Sequence, residues 1–427
     1  FSADNGTDGQ ELWKSDGTAG GTVMVKDIAT GDSSPYNLTD VNGTLFFSAF
    51  DNTMSYELWK SDGTAGGTVM VKDINPSFGA SSEPQSLTNV GGTLFFSATD
   101  GTNGKELWKS DGTPAGTIMV NDTNNSGDSN PNHLTDLGGI LLFSADNGTS
   151  GQELFRSDGT PAGTYTVKNI NTSGASSPNS LINVGGTLFF SADNGTDGQE
   201  LWKSDGTAAG TSIVKDINTL GNSSLKELTD VGGTLFFSAN NDTDGQELWT
   251  SDGTAAGTSI VKDINTSGNS FPNSLIDFGG ALFFSADNGS DGFELWKSDG
   301  TPAGTVIIKD INASGSSFPT SLVDASGTLF FSATTTHNDI AYFNGLFKLG
   351  ECKSDNNPAT DMVNTEKRNT LSFNSQTQLG NPNETCRCDI FNNIIETTVA
   401  QGANPVTGDI STYLWIDDVQ DTDFVKR

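Results

Sequence analysis

Cysteine is nearly missing from this sequence. Its three copies, Cys352, Cys386 and Cys388, all fall in the last 76 of 427 residues. The first 350 residues therefore hold no disulfide, no cysteine–histidine nucleophile pair and no thiolate zinc cluster. A thiol-free stretch of that length suits oxidising surroundings. Cys386 and Cys388 stand too close for an easy mutual bridge, and a Cys352 bridge to either leaves one thiol over. Histidine is scarcer still: His133 and His337, 204 positions apart. Positive charge is also short, with 21 Lys and Arg against 53 Asp and Glu, a formal net charge of −32. Such a surface repels phosphate backbones and anionic lipid, which excludes nucleic acid as an expected partner, and it attracts divalent cations. No apolar run reaches the roughly 18 residues of a membrane-spanning helix, so no membrane insertion is expected.

What is present is turn chemistry and large aromatics. Fifty-one Gly accompany abundant Ser, Thr, Asn and Asp, a composition that by itself suggests disorder. The 26 Phe and seven Trp recur at regular spacing, however, and a disordered chain has no such order. The passage "FSADNGTDGQELWKSDGTAGGT" opens the chain, and nearly the same words return at Phe190–Thr211. The element "ELW" begins at Glu11, Glu57, Glu106, Glu153 (as "ELF"), Glu200, Glu247 and Glu294, successive starts 46, 49, 47, 47, 47 and 47 residues apart. A period in the forties points to propeller blades or a helical array. Apolar residues here alternate or cluster in short runs and Gly interrupts about every dozen positions, which excludes the helices.

Each period divides into four strands: "LINV", "TLFFSA", "QELWKS" and "TSIVKDI" in the copy that begins at Leu181. Gly, Asn and Asp bound each one, as in hairpins. Four antiparallel strands in about 47 residues make one propeller blade, and the Phe pair and Trp are large enough to fill the gap between blades. Pro35, Pro84, Pro131, Pro178, Pro272 and Pro319 each precede a first strand, where a residue without a backbone N–H suits a crossing loop. The fold expected is an all-β propeller over residues 1–350, of eight blades, or of seven if the last copy pairs directly with residues 1–3. Phe1 falls inside a copy, so a longer precursor is expected, with an upstream segment completing the ring. Residues 351–369 read as a polar linker. Residues 370–427 alternate again, like the strands of a small, truncated β-sandwich.

The recurring "ELWKSDGT" resembles the ELWxxDGT repeat of secreted bacterial proteins, common in marine and gliding bacteria, over residues 1 to about 350. The resemblance implies a secreted, propeller-like domain and brings no catalytic residues with it. The passage "CRCDIFNNIIETTV…GANPVTGDISTYLWID" is similar to C-terminal modules of Bacteroidetes surface proteins exported by type IX secretion. That likeness implies a secreted or cell-surface location and the export apparatus as one partner.

Candidate sites carry two readings each. The loop Asp4–Glu11, "DNGTDGQE", resembles a calcium loop in which Asp4, Asp8 and Glu11 face one ion. Asp193, Asp197 and Glu200, and Asp287, Asp291 and Glu294, repeat it, so calcium is the one cofactor suggested. A polar hairpin asks for the same residues through backbone geometry alone. The "SDGT" element reads as a structural turn. Trp13, Trp59, Trp108, Trp202, Trp249 and Trp296 read either as inter-blade packing or as sugar-stacking platforms. Asn-x-Ser/Thr triplets such as Asn5, Asn147, Asn194 and Asn288 read as turn residues or as glycan acceptors. The copies that depart from the pattern, Met54–Tyr56, Lys105, Phe155-Arg156 and Phe293, form no acid/base set. The function expected is a non-catalytic, adhesin-like binding and display module contacting polysaccharide or a surface protein. The alternatives are a polysaccharide hydrolase or lyase with a centre-facing carboxylate pair, and a structural spacer.

Overall fold

A computed structural model describes residues 1–52, 55–337 and 341–349, with side chains described through residue 334. The expected linker and β-sandwich lie outside the described residues. Among the described residues all the regular structure is β, and no helix is long and apolar enough to cross a membrane. Eight consecutive antiparallel sheets form: three-stranded at 2–26, four-stranded at 36–72, 85–121, 132–168, 179–215, 226–262 and 273–309, and three-stranded at 320–349. The class is the expected one, an all-β propeller of four-stranded blades.

The blade at 179–215 shows why the sequence folds this way. Its strands run Asn179–Val184, Thr187–Asp193, Gln199–Ser204 and Ser212–Lys215, each hydrogen-bonded to the next in chain order. Gly186, at φ 86°, closes the first hairpin in a conformation that L side chains resist. Along the second strand side chains alternate, so the paired phenylalanines face opposite ways. Leu188, Phe190 and Ala192 enter one cluster with Leu142, Leu154 and Val167 of the preceding blade. Phe189 turns the other way, to Leu235 and Phe237 of the following blade. Phe190 lies directly opposite Trp202 across the sheet. Burying one such Phe contributes about 2–3 kcal/mol, and the period-two pattern delivers this on both faces of the sheet.

The chain divides into two compact units, 1–263 and 264 onward. In the first, the opening strands of successive blades (36–41, 85–90, 132–136, 179–184 and 226–231) lie side by side. In the second, 273–278 neighbours 320–324. Each four-stranded blade has one irregularity where its first strand meets the second, such as that between Asn179 and Ile182. Ser180 sits inside it at φ 54°, and Asn37, Ser86, His133, Glu227, Ser274 and Ser321 repeat that left-handed geometry in their own sheets.

Candidate functional site

The glutamate of "ELW" lies at the centre of each blade's architecture. Glu57 is fully buried, and its carboxylate accepts hydrogen bonds from the Ile74 N–H (2.9 Å), the Ser82 N–H (3.0 Å) and the Ser82 hydroxyl (2.6 Å). Those donors sit on the connection leading from one blade to the next. Glu11 takes the same three from Ile28 and Ser33, Glu153 from Ile170 and Ser176, and Glu294 from Ile311 and Ser317. Glu200 accepts the N–H groups of Ile217 and Ser223. A buried charge is tolerable when donors surround it. Burial nevertheless dominates: it pushes Glu57 and Glu200 up to about 7, against the hydrogen bonds that pull them down.

This geometry corrects the placement expected for the calcium loops. Glu11, Glu200 and Glu294 turn inward to their connections rather than joining the aspartates. Asp4 instead accepts the Gly6 N–H (2.7 Å) and Asp8 the Asn5 amide (2.7 Å). Asp193 likewise accepts from Gly195 and Asp197 from Asn194, while Asp287 accepts from Gly289 and Asp291 from Asn288. Among the described residues no group of three acidic, His or Cys side chains converges as a metal would require. The asparagines of the triplets hold these turns: the Asn194 side-chain oxygen accepts the N–H groups of Thr196 and Asp197. The aspartate of "KD" comes near this loop, and the charge of Asp197, after burial, raises Asp216. In the blade at 132–168 both partners are neutral, and the Asn169 amide donates to the Ser150 hydroxyl at 3.3 Å.

The "WKSDGT" stretch is an inter-blade latch. The Lys203 ammonium donates to the Gly253 carbonyl of the next blade (2.8 Å), as Lys14 does to Gly63, Lys60 to Gly112 and Lys109 to Gly159. Within each loop the aspartate holds its own turn. Asp205 accepts the Thr207 hydroxyl (2.7 Å) and N–H (2.9 Å), which hold it below the usual carboxylate range. A Cβ on Gly210 would fall on that carboxylate, which is why glycine recurs there in every copy. Trp59, Trp108, Trp202 and Trp249 pack between blades and, like Trp296, are 5–6% exposed, whereas Trp13 in the first copy is only half-buried. His133 lies on an opening strand, and burial lowers its pKa.

Aromatic side chains break the symmetry at one end of the blades, where the chain enters a first strand and turns from second to third. In the first unit, Tyr36, Phe50 and Tyr56 gather there, with Tyr56 5.6 Å from each of the other two rings. In the second, Phe293 stacks on Phe318 at 5.5 Å, and Phe271 stands exposed one blade earlier. The sequence alone marked Tyr56 and Phe293 but missed Phe271 and Phe318. Comparison of equivalent positions, which hold Ser34, Glu83, Asn130, Ser177 and Ser224 in the other copies, was the signal available.

The fold and these sites define a β-propeller built of near-identical blades. No protein-family model and no curated protein matches the chain. Solved structures similar to it include a prolyl endopeptidase (14% identity, TM-score 0.42), where the match covers 73% of this chain and 46% of that one. The β-propeller domain of the trilobed protease from Pyrococcus furiosus is another (12%, TM-score 0.39; 77% of this chain and all of that one). A puromycin-hydrolysing peptidase of Mycobacterium tuberculosis is a third (13%, TM-score 0.39; 79% and 54%). The chain thus spans about half the length of the two peptidases. These likenesses concern the fold. None of these comparisons supports the adhesin-like display reading drawn from the sequence, and that reading is not retained.

Proposed function

We propose that this propeller engages polypeptide and is not itself catalytic. The observation that carries the reading is the division of labour among the copies. Three recurring groups with chemistry suited to catalysis serve structure instead: the glutamate holds the connection, the Asp of "SDGT" holds its turn, and Lys14, Lys60, Lys109 and Lys203 reach the next blade. Six rings that break the pattern, Tyr36, Phe50, Tyr56, Phe271, Phe293 and Phe318, stand at one end of their blades. Exposed or half-buried rings without reactive neighbours suit recognition of side chains by contact area.

The test is to immobilise the full chain and pass over it a basic unfolded polypeptide, reduced and carbamidomethylated lysozyme, recovering it for mass spectrometry. Retention of intact polypeptide is expected. Cleaved products, or no retention, would overturn the reading.

A further inference from the structure

We infer that the ring pair Phe293–Phe318, together with Phe271 at the equivalent position one blade earlier, is the polypeptide contact of the second unit, and that its partner is a basic segment whose arginine or lysine side chains alternate with apolar ones. The inference rests on the polypeptide reading above and specifies the site and the partner's chemistry.

Three observations converge on it. Phe271 and Phe318 are 50% and 56% exposed, while the second-strand phenylalanines Phe284 and Phe331 are fully buried. Both exposed rings sit on left-handed backbone, at φ 46° and 48°. A bulky residue rarely adopts that region, and here each also precedes a proline, Pro272 or Pro319, which favours extended geometry. The framework does not need them: Ser34, Ser177 and Ser224 fill the same position at φ 44–51°. Large apolar rings at a strained, exposed position where serine suffices are the pattern of a functional surface.

The charge around them selects the partner. Asp287 lies directly opposite Phe293 across the sheet, and Asp291 precedes it in the same turn. Between residues 264 and 334, leaving aside the buried Glu294, there are six acidic side chains, Asp277, Asp287, Asp291, Asp299, Asp310 and Asp324, against two lysines, Lys297 and Lys309. A phenylalanine face flanked by carboxylates attracts a cation, and a guanidinium can stack on it while its neighbours cover the ring edges. An acidic segment would meet repulsion.

The experiment uses the full chain and three fluorescein-labelled peptides: alternating arginine and leucine, alternating glutamate and leucine, and alternating arginine and glycine. The variant carries Phe271→Ser, Phe318→Ser and Phe293→Gln, each residue being the one that other copies hold at that position, so the blade framework is preserved and net charge is unchanged. Fluorescence anisotropy should show the arginine–leucine peptide bound, with an affinity about ten-fold lower for the variant. The glutamate–leucine peptide should not bind, and the arginine–glycine peptide should bind weakly and equally to both proteins. Equal affinity of parent and variant for arginine–leucine overturns this site while leaving the polypeptide reading standing. Binding of the glutamate–leucine peptide as tight as that of arginine–leucine overturns the partner's chemistry. Absence of binding by all three, together with failure to retain the unfolded lysozyme, overturns both readings.

Discussion

The Lys72 ammonium lies 5.7 Å from the ring centroid of Trp108, on the neighbouring blade, and donates to the Thr117 carbonyl at 2.8 Å. Lys26 and Trp59, Lys168 and Trp202, and Lys215 and Trp249 repeat the contact at 5.6, 6.0 and 5.7 Å. The tryptophan is thus roofed by the preceding blade. Truncating it removes the ring from a closed space: Trp108→Ala should destabilise by about 3–5 kcal/mol. Lys72→Met should lose only the cation's share, about 0.5–1 kcal/mol. Urea unfolding of both variants checks the ratio, and comparable losses would show that the ring is not the principal filler.

Glu57 predicts a pH dependence. Its folded pKa of about 7 lies above the ordinary 4.5, so between those values the folded protein holds a proton that the unfolded chain has released. Stability should therefore fall as pH rises from about 4.5 to 7, the full penalty being present above that window. Glu57→Gln cannot titrate, and its amide end would oppose one of the three donors. It should be less stable by about 1–3 kcal/mol near pH 5, with the deficit shrinking towards pH 8. Melting curves of parent and variant across that range decide the sign; a deficit that grows with pH contradicts the burial argument.

The glycine that closes each "DGTxxG" turn is needed for room rather than for backbone freedom. Gly210→Ala places a methyl on the Asp205 carboxylate and should destabilise by about 1–3 kcal/mol. The double variant Asp205→Gly/Gly210→Ala should recover part of that loss, giving a positive coupling in a double-mutant cycle. Simple additivity would sink the steric explanation.

Asp216 faces the charge of Asp197, whereas the blade at 132–168 solves the same contact with a neutral amide and hydroxyl. Asp216→Asn should raise stability at pH 7 by about 0.5 kcal/mol, the scale of a relieved like-charge contact. The gain should shrink as acid protonates Asp216, whose carboxyl burial and the neighbouring charge hold above the usual range. A loss of stability at pH 7 would show that the carboxylate holds a partner the amide cannot.

Much of this molecule could be read before any coordinates. The 47-residue period, the four strands and the buried Phe and Trp follow from the chain's own rhythm, because side chains alternate across a strand and glycine marks its ends. A phenylalanine pair in a strand must face two ways, so blades packed on both sides were implied at once. Long-range choices could not be read that way. Glu11 sits within three residues of Asp8, yet its carboxylate joins Ile28 and Ser33, 17 and 22 positions away. Local spacing suggested one ion for all three acids; the returning connection, whose donors needed an acceptor, took the glutamate inward. Phe271 and Phe318 stand out in the sequence only when the copies are aligned on one another, and a non-glycine residue gives no sign of the left-handed backbone they adopt. Local alternation fixed what each strand buries; which loop met which carboxylate, and which rings were left in water, depended on segments brought together only when the blades stacked.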